Sequence, residues 1–400
     1  KRESAIVNAE LGLLDKKISQ AIVQASNEML VGRWDHQIVV DQIQGGAGTS
    51  MNMNVNEILA TRATEILKSS VIVHPLEHIN KTQSTNDVVP TAFRITLLQK
   101  TDLFLIMLKE YQDVLKKKGW EFKSVMKVGR THLQDAVPIS LGREFLAQAS
   151  AMGEDIKRLR QVQNFLLNIN LGGTAIGTMA NSSPEFAKKI TKRLVQATKY
   201  KLKSSPDLVY STQYVDSFTA VSAVLSVLAT NLIKFLNDLR LMASGPHAGF
   251  GEISFAERQK GSTIMPGKVN PVMAEMLTQV AFQVIGNNQT VIMTAQAGQF
   301  ELNAMMPVVI KNILESLQFL DKGLGLFTKY GLKTLRVNRE RCQQLLNESF
   351  VGITALSKVV GYDKAENILK KSIANNKSLM DIVVAEKIMS QKDFGKLLKE

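Results

Sequence analysis

The chain has 400 residues, 45% of them hydrophobic, and Lys plus Arg exceed Asp plus Glu by 13. This length supports two or three domains around a large core, and the apolar content excludes a disordered or fibrous chain. The positive balance is compatible with nucleic acid, an acidic surface or small anionic substrates; no run of about 18 uncharged apolar residues marks a membrane span.

Taken in order, residues 1–32 carry helical spacing at Ile6, Leu11, Leu14, Ile18, Ile22 and Leu30, which predicts one helix. The chain starts in mid-pattern at Lys1 rather than at a Met, so some native N-terminal sequence is expected to precede it. Residues 33–56 turn polar and Gly-rich, and a helix is predicted over 57–68. Residues 69–90 read as a polar connection, and Pro90 opens a long helix over 91–118. Lys116, Lys117 and Lys118, beside Trp120 and Phe122, form the densest basic cluster; it reads as a solvated helix end, so nucleic-acid binding is not expected. Residues 127–138 are a second polar connection, followed by a long helix over 139–168. Gly172, Gly173 and Gly177 interrupt the pattern before a short helix over 184–199.

The next segment sets the architecture. Phe218, Val221, Leu225, Leu228, Leu232, Phe235, Leu239 and Met242 are spaced alternately three and four residues apart. This is a heptad seam, and a helix over 212–243 spans roughly 48 Å. Val215, Val224 and Leu236 widen the stripe beyond a two-stranded seam, so the helix belongs in a bundle with several neighbours. Asp216, Lys234, Asp238 and Arg240 argue against a membrane span. Long apolar helices follow over 271–297 and 304–330, and from Val337 shorter, Lys-rich helices indicate a small C-terminal domain. Cys342 is the only cysteine; it precludes an intrachain disulfide, fits a reducing, cytoplasmic compartment, and is placed on a charged helical surface. Strands are scarce, with 38–40 and 71–73 as short extended candidates.

Several polar connections carry chemistry. Gly45 to Ser50 lacks the Gly-Lys-Ser/Thr ending of a phosphate loop and the glycine spacing of a dinucleotide fold. Asn52, Asn54 and Asn56 beyond it are too dense for a core helix and point to a buried polar network or a ligand wall. His74-Pro75-Leu76-Glu77-His78 matches a zinc-peptidase pattern, but Pro75 and the polar run beyond it predict loop histidines and no metal. Ser84, Thr85 and Asn86 are either an ordinary helix cap or a set of ligand donors. Thr131 and His132 place a hydroxyl and an imidazole in the second connection. Gly261 to Pro271 is flanked by glycines and carries Ser262, Thr263, Lys268 and Asn270, with Asn270 as the N-cap of a helix opened by Pro271. A mobile segment with hydroxyls and a cation at a helix start is a plausible lid over an anion.

Together these motifs resemble the aspartase/fumarase superfamily. The segment from Gly261 is similar to its signature G-S-S-x-M-P-x-K-x-N, with Thr263 replacing the second serine; Gly45 to Glu57, Asn80 to Pro90, Gly129 to Pro138 and Leu171 to Thr178 match in the same order. The resemblance implies a mainly all-α, three-domain fold with a long central helical bundle. The domains would be 1–86, 87–340 and 341–400, with bundles joined in a homotetramer whose active sites are shared between subunits. Gly48 to Asn54 and Gln83 to Asp87 favour the ammonia-lyase branch, which converts L-aspartate reversibly to fumarate and ammonia. The hydratase branch, class II fumarase, is the alternative; a non-catalytic relative of the fold is a third.

By the same resemblance Ser262 is the general base, acting as its alkoxide on the carbon beside the β-carboxylate. Thr49, Ser84, Thr85 and Thr263 match the donors that hold this carboxylate as an enediolate. Lys268 and Asn270 match the α-carboxylate site; Asn86, Thr131 and His132 match residues around the amino group, with His132 and Lys268 also in the catalytic set. Glu275 matches the partner that orients His132. No metal or organic cofactor is implied. Thr263, Met179-Ala180, His247 and Met306 depart from the family pattern without touching the matched base Ser262 or Lys268.

Overall fold

A computed structural model describes residues 1–68 and 70–398. The first predicted helix is two, α1 (Arg2–Glu10) and α2 (Lys16–Leu30). The break has a local cause: Asp15 accepts the backbone N–H groups of Lys17 and Ile18 and so caps a new helix. There follow α3 (Thr49–Leu67) and α4 (Thr85–Glu121). An antiparallel hairpin, β1 (Met126–Thr131) and β2 (Gln134–Ser140), takes the place of the predicted polar connection. Then come α5 (Leu141–Val162), β3 (Asn168–Ile169), α6 (Pro184–Thr198), β4 (Lys203–Ser204), α7 (Leu208–Gln213) and α8 (Asp216–Met242). After β5 (Ile253–Ser254) the chain forms α9 (Val272–Ala295), α10 (Met306–Phe327) and β6 (Arg336–Val337). Short helices α11 (Arg339–Glu348), α12 (Ile353–Val360), α13 (Tyr362–Asn375), α14 (Leu379–Ala385) and α15 (Gln391–Leu397) close the described chain. Residues 38–40 and 71–73 form no strand.

Pro90 lies inside α4 rather than at its start. A proline there frees the carbonyl one turn earlier, because its nitrogen carries no proton. That carbonyl, of Asn86, accepts instead from the side-chain amide of Asn170 at 3.0 Å. Along α8 the heptad residues are buried: Val221, Leu232 and Leu239 are wholly inaccessible, and Met242 is 6% exposed. α8 is long and apolar enough to cross a membrane, and its heptad seam is packed inside the protein.

Two compact units divide the chain, one of residues 1–106, 155–229 and 281–321, the other of 107–154, 230–280 and 322–400. In the first, α2 and α3 share a core of Ile22, Ala25, Leu59 and Ala63. In the second, Phe145 packs edge-on against Phe122 and Phe235, and a separate cluster of Leu356, Ile368, Leu379 and Val383 gathers α12 to α14 against Val128 of β1. Two readings of surface residues are corrected here. Lys118 is buried, its ammonium donating to the Leu335 carbonyl. Cys342 faces inward rather than onto a charged surface, its thiol donating to the Glu252 carbonyl at 3.7 Å.

Candidate active site

The first unit holds Thr49, Ser84, Thr85 and Asn86. Ser84 caps α4: its Oγ accepts the N–H of Asn86 at 3.2 Å, and Asp87 returns the favour by accepting the N–H of Ser84 at 3.0 Å. The capping and ligand readings of this turn are therefore compatible. Capping uses only the acceptor capacity of the Ser84 hydroxyl and leaves its proton to donate. Thr85 is arranged likewise, since its Oγ1 accepts from Asn52 at 3.1 Å. Asn52 is fixed in turn: it and Asn56 donate to Asn80 Oδ1 at 3.1 and 3.2 Å, and the Lys1 ammonium donates to the same oxygen at 2.8 Å. Asn52 and Asn56 thus form a buried network behind Thr85, while Asn54 accepts the N–H of Val39 and donates to the Gln37 carbonyl; all three lie inside a helix that begins eight residues before the predicted start at 57. Burial lowers the Lys1 ammonium to about 7. Thr49 differs from the other hydroxyls, because it donates its proton to the Gly46 carbonyl at 2.7 Å. To bind a carboxylate it must release that bond. Ala47, Asn86, Pro90, Thr212, Asn303 and Met306 line a shallow cavity beside the turn.

The second unit holds Thr131, His132, Ser262, Thr263, Lys268, Asn270 and Glu275. His132 and Leu133 form the two-residue tip of the β1–β2 hairpin, both with positive φ, at 55° and 60°. Such a turn prefers Asn and Gly; His and Leu there carry backbone strain of the kind that collects at functional sites. The hairpin is anchored by buried charges. Glu252, wholly inaccessible, receives Arg130 at 2.9 Å and Lys127 at 3.2 Å, and Lys127 also reaches Glu144 at 3.0 Å. Arg130 stacks over Phe250 at 4.2 Å. Sequence reasoning missed this cluster, whose members are scattered through the chain. His132 and Thr131 are exposed, and Glu275 half-buried; no hydrogen bond joins His132 to Glu275 among the described residues.

The segment from Gly261 to Asn270 is a ring. Asn270 Nδ2 donates to the Gly261 carbonyl at 2.8 Å, and a Cβ at Gly261 would lie 2.0 Å from the Lys268 carbonyl. Only glycine allows that approach. Asn270 is consequently not the N-cap of α9; the Pro271 carbonyl accepts the first helical N–H groups, from Ala274 and Glu275. Within the ring Ser262 Oγ accepts the backbone N–H of Ile264 at 3.2 Å and of Met265 at 3.1 Å. Thr263 and Lys268 are exposed, as are Ile264 at 83% and Met265 at 47%.

The second histidine motif has a structural role. His74 Nδ1 accepts from the N–H groups of Leu76 and Glu77, and His78 Nδ1 accepts from His74 N–H at 2.8 Å; Pro75–Ile79 is a π-helical turn capped by His74 rather than the predicted loop.

Comparison with known proteins gives the family of the chain. The family described as Lyase matches residues 1–286, and the one described as Fumarase C C-terminus matches residues 353–399. The chain belongs to the aspartase/fumarase superfamily. It is similar to an aspartate ammonia-lyase from Bacillus subtilis, 45% identical over all of this chain and 85% of that protein. Among solved structures it is similar to a fumarate lyase:delta crystallin from Brucella melitensis, with a TM-score of 0.95 and 41% identity over 100% of this chain and 87% of that one. A class II fumarase from Schistosoma mansoni matches with a TM-score of 0.92 and 32% identity, over 99% and 87%. The superfamily membership accounts for the mainly helical fold with its long central helices.

Proposed function

We infer that the protein is a carbon–nitrogen lyase that converts L-aspartate reversibly to fumarate and ammonia. Full-length similarity to aspartate ammonia-lyases, at 38–45% identity, supports the reaction. The observation that carries the mechanism is the pair of backbone N–H groups aimed at Ser262 Oγ.

The carbon beside the β-carboxylate is a very weak acid, and a serine hydroxyl is a weak base. Both problems are electrostatic. The Ile264 and Met265 amides stabilise the Ser262 alkoxide, and the exposed Lys268 ammonium on the same ring adds positive charge. The alkoxide takes the Cβ proton, and the bonding pair moves into the β-carboxylate as an enediolate. Ser84 and Thr85, whose hydroxyl protons stay free to donate, meet that charge, with Thr263 and, on release from Gly46, Thr49. Collapse of the enediolate forms the Cα–Cβ double bond and expels the amino group. Lys268 and the second N–H of Asn270 hold the α-carboxylate; Asn86, Thr131 and His132 surround the amino group. Residues of the ring that close over substrate bury Ile264 and Met265, which supplies a hydrophobic driving force for closure.

These residues divide between the two units, and we propose that complete sites form between subunits of a homotetramer in the cytoplasm, with three domains at 1–86, 87–340 and 341–400. Apolar side chains left on the helices support association: Leu103 and Ile106 of α4 are 61% and 68% exposed, and Phe282 and Met293 of α9 are 58% and 67% exposed. Incubation with L-aspartate or with L-malate, followed by fumarate absorbance, tests the reaction. Fumarate from L-aspartate is expected; fumarate from L-malate alone would make the protein a hydratase.

A further inference from the structure

The turn that carries Ser84, Thr85 and Asn86 is held from behind by a carboxylate that the elimination does not use. Asp87 is wholly buried. Its Oδ1 accepts the N–H of Ser84 at 3.0 Å, while Oδ2 accepts the N–H groups of Gly172 at 3.0 Å and Thr174 at 2.9 Å. The last two belong to a segment more than eighty positions along the chain. Gly172 adopts φ +97°, and a Cβ on it would lie 2.8 Å from the Cβ of Ala187. A side chain there would displace the N–H that meets Asp87. The same segment grips the turn a second time, because Asn86 Nδ2 donates to the Ala175 carbonyl at 2.7 Å.

We propose that Asp87 is a positioning residue for the carboxylate-binding turn: by tying Ser84 to Gly172 and Thr174, it sets the angle at which the Ser84 and Thr85 hydroxyls and the Asn86 amide meet the substrate. The inference rests on reading that turn as a substrate site, as above, and extends it to a residue that never touches substrate.

The chemistry explains why the residue is an acid. Three N–H donors converge on one side chain, so both of its terminal atoms must accept. An asparagine of the same shape would set an NH₂ group against at least one donor. A negative charge behind a site for a dianion is otherwise unfavourable, and here the three amide dipoles absorb it. Lys1 is the charged group that faces it, held nearby by its bond to Asn80. Burial pushes the Asp87 carboxyl up to about 6. Its ability to accept all three bonds therefore fades as pH falls through that value, and the grip on the turn fades with it.

The test compares the wild-type assembly with Asp87→Asn and Asp87→Glu. With L-aspartate, Asp87→Asn is expected to raise KM and to lower kcat/KM by about 10- to 100-fold. The wild type is expected to show a rise of KM on the acid side of pH 6, and this rise is expected to vanish in the variant. Asp87→Glu keeps the charge and is expected to recover part of the loss. A residue that only supports the fold lowers the active fraction instead; an unchanged KM with an unchanged pH profile would overturn the proposal. Hydrogen exchange gives a reading that does not depend on the reaction. Segments 83–88 and 171–175 are expected to exchange faster together in Asp87→Asn, and wild-type exchange in both would also overturn it. Should the wild type release no fumarate from L-aspartate, the assigned reaction fails, yet exchange still decides the role of Asp87. If Asp87→Asn does not fold, the same two measurements on Asp87→Glu decide it: raised KM and faster exchange support the role, wild-type values refute it.

Discussion

Asn270 donates its side-chain amide to the carbonyl of Gly261 and so closes the segment between them at its base. The consequence is that Ser262 and Lys268, near the two ends of the segment, move as one piece. Substituting Asn270 opens the ring and also removes the second N–H proposed for the α-carboxylate. Asn270→Ala is therefore expected to raise KM for L-aspartate and to lower kcat, by about 100-fold or more in kcat/KM. Asn270→Asp, which cannot donate to Gly261 when ionised and repels the α-carboxylate, should be worse than alanine. Steady-state kinetics on the pair rank the two effects; equal, small losses would remove Asn270 from the site.

Ser262 offers the sharper test of mechanism. Its oxygen receives two backbone donors at 3.1 and 3.2 Å, an arrangement that favours the alkoxide over the hydroxyl. Ser262→Ala removes the proposed base and leaves the ring closed, since Asn270 and Gly261 still meet. Turnover is expected to fall by about 10²- to 10⁴-fold, with the assembly unchanged by light scattering and binding of fumarate largely retained. Full activity in this variant would move the base elsewhere.

The seam of α8 was legible because packing is a matter of spacing: each of its heptad positions is buried, and the sequence needs no knowledge of partners to place them. The segment from Gly261 stood out by its glycines and polar side chains, but its closure did not, because Asn270 reads as a helix cap and bonds instead to the Gly261 carbonyl. What escaped is tertiary. Asn52 and Asn56 are poor core residues in isolation, and they become good ones only because Asn80, distant in sequence, offers an oxygen to both. Pro90 looked like a helix start, and it is tolerated inside α4 because Asn170 takes the carbonyl it frees. The hairpin that presents His132 looked like a loop, since neither His132 nor Leu133 is a turn residue by preference. Cys342 sat among charges in the sequence, yet one helical face of α11 turns it inward.

That buried thiol makes a simple prediction. Burial pushes it up to about 11, so at neutral pH almost none is thiolate, and solvent does not reach it. Native protein is expected to react with a disulfide reagent orders of magnitude more slowly than the same chain in denaturant. Fast labelling of the native state would contradict the placement of α11.

Anchoring of the hairpin can be tested through Glu252. Both of its oxygens are engaged, by Arg130 and Lys127, and its substitution leaves two cations in a buried site. Breaking a buried pair in this way costs about 3–5 kcal/mol. Glu252→Gln keeps the volume and one acceptor, so it is expected near the low end, and Glu252→Ala near the high end. Denaturant unfolding measures the loss. Because the same charges hold the strands that carry His132, kcat should fall in Glu252→Gln even at temperatures where the protein stays folded.

The last prediction concerns pH and stability at Asp87. Its folded value of about 6 lies above the ordinary 3.8. A carboxyl raised in this way favours the fold while protonated, and its ionisation withdraws that stability as pH rises from about 4 through about 6. The difference between the two values corresponds to about 3 kcal/mol. Asp87→Asn does not titrate, so its stability relative to the wild type should improve by up to about 3 kcal/mol between pH 4 and pH 7, whatever fixed offset the substitution carries. Lys1, lowered to about 7 by burial and raised by the facing Asp87, loses that attraction in the variant, which adds to the slope in the same direction. Melting temperatures of the pair across this range give the slope. A difference that stays constant with pH would mean that Asp87 is ionised without cost, held down by its three amides, while a positive slope would show that the fold gives up stability to keep a carboxylate where the substrate turn needs one.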